Sequence, residues 1–145
     1  MNRPSDIATV LAALDPVSQS AATVVTSWVP ITDVQSILAV LAVGALGTSA
    51  TVDAKLRQAT NSSGGSAKDI TGKAITQLTK AGSDDNKQVL LNVRPDELDM
   101  ANGFTHIALS ITVATAACLI SAVLLGFNAR FQPKSHATTV DEVVG

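Results

Sequence analysis

The sequence predicts an all-β protein, a single antiparallel β-sandwich of jelly-roll-like form behind a helical or extended N-terminal arm. Three observations carry this. Several runs alternate apolar and polar side chains with a period of two and are rich in β-branched residues, as half-buried strands are. Clusters of turn-forming residues separate those runs. Two further segments of strand length are apolar on both faces, as central strands or strands against a partner subunit would be.

In chain order, Ser5 to Leu14 comes first. Ile7, Val10, Leu11 and Leu14 recur at i, i+3, i+4 and i+7, with Ser5 placed to cap a first turn and Pro16 to stop the last, which predicts a short helix. A helix of about ten residues is marginal alone, so its stripe is expected to dock on a neighbouring subunit or on a larger assembly that the protein joins. The same stretch loosely imitates an export signal, but Asp6 and Asp15 interrupt its short apolar run, and none is read. The expected organisation is an arm over 1–20, a sandwich over 21–133 and a flexible tail over 134–145.

Within the sandwich, Val52, Ala54 and Leu56 alternate with Thr51, Asp53, Lys55 and Arg57. Val89, Leu91 and Val93 alternate with Gln88, Leu90, Asn92 and Arg94, and Ile107 to Val113 repeat the pattern. Asn61–Gly65, Gly82–Asn86 and Ala101–Gly103 are the turns between them, and Pro30, Pro95 and Pro133 fall at the edges of the runs. Ser36 to Leu46 and Leu119 to Phe127 are the two-faced apolar segments. Leu38 and Val40 are therefore candidates for a subunit interface, with plain core as the other reading.

Ile107 to Phe127 holds twenty-one residues without a charge, enough for a membrane span. Ser110, Thr112, Thr115 and Ser121 are spread along it, its first half alternates, and it lacks an aromatic belt. These features favour a hairpin around Ala114 to Cys118, whose arms have ordinary strand length.

Composition narrows the function. Charged residues make up only 15% of the 145 residues, so much of the surface is expected to meet other protein or lipid. A net charge of −2, three Phe, one Trp and no Tyr give neither a basic footprint nor a stacking platform for nucleic acid. Cys118 is the sole cysteine and reads as a buried, inert thiol. Asp84, Asp85 and Asn86 could offer oxygens to a cation, but without EF-hand spacing they read as turn chemistry. Asp96, Glu97 and Asp99 have no partner histidine nearby and read as a solvated patch or a subunit salt bridge. His106 and His136 are isolated. No catalytic, cofactor-binding or metal-ligating residue is expected, and no enzyme.

The run DITGKAITQLTKAGSDDNKQVLLNVRPDELDMANGFTHIALSITVATAACLISAVLLGFNARFQP resembles a family of small structural proteins encoded among the head genes of tailed bacteriophages and prophages. The resemblance extends from about Leu14 to Pro133. It includes the hydrophobic strand ILAVLAVGAL, the charged strand VDAKLRQAT, a DITG-like turn, a DDNKQ-like loop and the closing GFNARFQP. This chain departs at Gln58-Ala59-Thr60, where the family carries an acidic residue after Gln.

The resemblance implies a virion structural protein of the phage head, assembled in the bacterial cytoplasm. Its most concrete form is a capsid decoration (cement) protein that binds the major capsid protein. A homo-oligomer, trimer favoured, fits the low charge, and neither nucleic acid nor membrane is an expected partner. Ile7, Val10, Leu11, Leu14, Leu38 and Val40 are the expected interface residues. A neck, tail or spike component is the alternative within the virion, and a small integral membrane protein the alternative of another class.

Overall fold

An extended backbone must find hydrogen-bond partners on neighbouring strands. The computed structural model, which describes residues 3–145, meets that demand with ten strands. They are β1 (Ala8–Gln19), β2 (Ala22–Val25), β3 (Val29–Pro30), β4 (Ser36–Leu46), β5 (Thr51–Ala59), β6 (Lys68–Ala74), β7 (Leu78–Thr79), β8 (Gln88–Val93), β9 (His106–Ala114) and β10 (Cys118–Phe127). One helical turn, α1 (Pro4–Ile7), precedes them.

Every pairing is antiparallel. The first sheet has the order β1-β10-β4-β8. The second has the order β2-β9-β5-β6, with β3 also on β9 and β7 also on β5. Taking β2–β3 and β6–β7 as two interrupted strands, eight strands are shared between two four-stranded layers in jelly-roll topology. The expected all-β sandwich is what the chain forms.

Alternation decides which side chains fill the space between the layers. Ile37, Ala39, Leu41 and Val43 of β4 point inward, as do Ile120, Ala122 and Leu124 of β10. They meet Val52, Ala54 and Leu56 of β5 and Ile107, Leu109, Ile111 and Val113 of β9. Burying each large aliphatic side chain contributes about 1.5–3 kcal/mol. Short devices hold neighbouring strands in register. Thr26 Oγ1, for example, accepts the Leu109 N–H at 3.0 Å where β2 ends.

Two expectations need correction. The helix expected over Ser5–Leu14 is confined to Pro4–Ile7, and from Ala8 the chain is an edge strand of the first sheet. Register shifts between Val10 and Ala12 and between Leu14 and Val17 mark bulges. An inserted residue in a strand spaces apolar side chains by three and four, which imitates a helical stripe. Pro16 lies within the second bulge of an edge strand, where its missing N–H is tolerated.

The second correction concerns Ile107–Phe127. It does form two strands, but they do not pair with each other: β9 lies in the second sheet and β10 in the first. The connection through Thr115, at φ 73°, crosses from layer to layer. Each strand is central in its own sheet, which is why both are apolar. Among the described residues no helix is long and apolar enough to cross a membrane.

The C-terminal segment lies along the free edge of β1. The Val10 N–H donates to His136 Nδ1 at 3.0 Å, and the Ala137 N–H donates to the Val10 carbonyl at 2.8 Å. An edge covered in this way no longer offers its backbone to a stray strand.

Candidate interaction surface

Residues directly opposite on antiparallel neighbours share a face, so the register shows what the first sheet presents to solvent. One row across it reads Val10, Leu125, Leu38, Asn92 from β1 to β8. The next reads Ala13, Val123, Val40, Leu90, and the third joins Ser121, Ala42 and Gln88 on β10, β4 and β8. No Asp, Glu, Lys or Arg occupies any of these positions.

Leu38, Val40 and Ala42 are half-buried, whereas Ile37, Ala39 and Leu41 between them are fully buried. Leu90 is 59% exposed and Leu119 47%. Beside Leu119 the surface sinks into a hollow of about 430 Å³, lined by Val17, Ala42, Gly44 and Ser121 among others. Gly44 keeps the hollow open, because a Cβ there would come within 3.0 Å of the Leu119 Cβ.

The outer face of the second sheet is the opposite in character. Lys55 Nζ and Arg57 Nε bind the two carboxylate oxygens of Asp69 at 2.8 and 3.0 Å. The Arg57 guanidinium also donates to the Ala67 carbonyl at 3.0 Å. Gln77 donates to Asp53 at 2.8 Å, and the Thr23 and Thr112 hydroxyls meet at 2.8 Å. The lysine and arginine beside Asp69 hold its carboxyl below the usual carboxylate range, the Lys55 hydrogen bond being the larger cause. This face is charged, paired and solvated. The protein thus presents two broad faces of contrasting chemistry.

The acidic candidates serve structure. Asp84 Oδ2 accepts the Thr79 N–H at 2.9 Å, and Asp85 Oδ1 accepts the Leu46 N–H at 2.7 Å while Lys80 binds the same carboxylate. The Leu46 N–H is the larger cause of the lowered pKa of Asp85. Glu97 pairs with Lys73 at 2.8 Å, Asp99 with Lys68 at 2.5 Å, and Asp96 with Arg94 at 3.3 Å. The first two pairs tie the loop after β8 to β6, and the third lies within that loop. His106 Nδ1 sits 2.9 Å from the Thr105 hydroxyl, and Cys118 is buried at the start of β10. Among the described residues no three His, Cys, Asp or Glu side chains converge as a metal site would require.

The expected interface residues separate into three groups. Val10, Leu38 and Val40 come together on the outer face of the first sheet. Leu11 and Leu14 pack against the core instead. A Cβ on Gly126 would lie 2.8 Å from Leu11 Cδ1, so the glycine makes room for that side chain. Ile7 ends α1, where its carbonyl accepts the Asn128 N–H at 2.9 Å. Leu119, Val123 and Leu125 lie in the two-faced segment that the sequence marks as core or interface, though it does not single them out, and Leu90 is missed altogether. A signal was present for Leu90, a large apolar side chain at a position that alternation reserves for a polar one.

No family model and no curated protein matches the chain. Among solved structures it is similar to a chain of the cowpea mosaic virus empty virus-like particle. The TM-score is 0.44 at 14% identity, over 90% of this chain and 84% of that one. A chain of the naturally occurring empty particles of the same virus, its top component, gives 0.44 at 15% identity, over 91% and 93%. A tobacco necrosis virus chain gives 0.39 at 12% identity, over 88% and 96%.

Proposed function

We propose that the protein is a structural subunit of a virion that buries the outer face of its first sheet on neighbouring protein. The observation that carries this is the contrast between the faces: rows of Val, Leu and Ala without a charge on one side, and ion pairs on the other. Exposed apolar surface of this extent marks a contact surface. The sequence resemblance to head-gene proteins of tailed bacteriophages supplies the setting, a capsid decoration protein on the major capsid lattice of the phage head.

The mechanism in that setting is linkage. A subunit that binds the assembled lattice and not its dissociated parts stabilises the lattice by mass action. Many copies on one shell, joined as a homo-oligomer, multiply the effect through avidity.

Particles prepared without the protein provide the test. Adding the purified chain is expected to saturate discrete sites and to raise the temperature at which the shell disassembles. Particles that bind none of it, or bind it without a change in shell stability, would refute the decoration role.

A further inference from the structure

Like charges brought face to face repel, and the paired rows across the outer face of the first sheet carry none. We propose that this face is covered by the same face of a second copy, forming an isologous two-fold pair. The inference rests on the reading above, that the face is buried on neighbouring protein, and names the neighbour.

The dimensions fit. Four strands at about 4.8 Å spacing and eight steps along β10 at about 3.4 Å give roughly 500 Å² per copy. A pair then covers roughly 1,000 Å², the lower bound for a specific interface. Sheets stacked face to face lie about 10 Å apart with their side chains interdigitated. This face offers both halves of such a fit: Leu90 projects at the β8 side, and the hollow beside Leu119 lies over β10 and β4 towards β1. A two-fold operation can place each Leu90 near the other copy's hollow, so one complementarity is used twice.

Symmetry selects the pair over the expected trimer. A ring of three joins two different patches on each copy. Here the other broad face is held by Lys55, Arg57 and Asp69 in contact with water. His136 and Ala137 are engaged at Val10 on the β1 edge, while Leu90 and Leu119 on the face remain exposed.

Sedimentation of the purified protein over roughly a hundredfold range of concentration tests the pair. The wild type is expected to show a reversible monomer–dimer equilibrium that raised salt does not weaken, because no ion pair is involved. Val40→Asp, which buries an unpaired charge at the contact, is expected to weaken the dimer at least roughly a hundredfold with the circular dichroism unchanged. Leu90→Lys is the second variant, at a side chain too exposed to be needed for folding, and is expected to weaken the dimer in the same direction.

A folded wild type that stays monomeric, one that forms trimers, or a dimer indifferent to both variants overturns the pair. So does a monomer that floats with phosphatidylcholine vesicles, since lipid would then be the cover. Co-sedimentation of the same samples with particles is scored separately. A monomer that still binds particles refutes the pair and leaves the virion role standing, whereas a dimer that never binds them does the reverse.

Discussion

Val40 on β4 and Val123 on β10 stand directly opposite each other, both on the solvent side of the first sheet. One step along each strand, Leu41 and Ala122 are opposite each other on the core side. A single apolar run therefore divides, residue by residue, between holding the fold and presenting a surface.

That division predicts unequal costs for neighbouring substitutions. Leu41→Ala removes a fully buried side chain and is expected to cost about 2–5 kcal/mol. Val40→Thr, on the outer face, is expected to stay within about 0.5 kcal/mol. Urea denaturation of both variants measures the contrast. Equal losses would mean that both faces of β4 are core.

Thr9 is fully buried, and its hydroxyl has no hydrogen-bond partner among the described residues. Val has nearly the same shape without the polar atom, so Thr9→Val relieves an uncompensated desolvation. The expected gain is about 1 kcal/mol, read as a higher urea midpoint. A loss of stability would show that the hydroxyl has a partner.

Gln58 is buried, and its Oε1 accepts the Asp99 N–H at 2.8 Å, fastening the loop after β8 to β5. Gln58→Ala leaves that N–H without its acceptor and opens a gap. A loss of about 1–3 kcal/mol is expected, together with faster amide exchange at Asp99. An unchanged exchange rate there would contradict the fastening role.

Asp69, Asp85, Glu97 and Asp99 all have their pKa values lowered. The chief causes are the hydrogen bond from Lys55, the Leu46 N–H, the hydrogen bond from Lys73 and the hydrogen bond from Lys68 respectively. A carboxylate more acidic in the folded than the unfolded state contributes stability above its unfolded pKa. That contribution is lost as the pH falls through the folded value. Thermal melts are therefore expected to be flat from neutrality to about pH 5 and to fall below about pH 4. Because Asp69 is exposed and the other three are partly so, solvent screens the pairs, each contributes little and the slope should be shallow. A melting temperature that rises on acidification would contradict these pairings.

How much of this was legible in the sequence depended on what each strand faces. β5 and β8 contain runs read from alternation, because one face is core and the other meets water. β9 alternates in composition although Ala108 and Ser110 on its other side are buried too. β4 and β10 alternate in burial but not in composition, since their outward side chains are apolar too. Their role at the surface became visible only with the register, which places Leu38 beside Leu125 and Val40 beside Leu90. β1 was misread because its bulges break the period at Leu11 and at Asp15–Pro16. The β9–β10 pairing was misread because alternation reports the face of a side chain and never the neighbour of a strand. Asp69 to Gly72, the DITG-like motif, are expected to turn. They lie instead within β6, where Gly72 adopts φ 76° beside a register shift.

A reconstruction of the intact virion at a resolution that traces strands tests the central claim most directly. The expected map places this chain in the shell, with protein density packed against Leu38, Val40, Val123 and Leu125, and leaves the Lys55–Asp69–Arg57 face open to solvent. A particle without the chain, or one in which the apolar face looks onto solvent while the ion-paired face is buried, would contradict it.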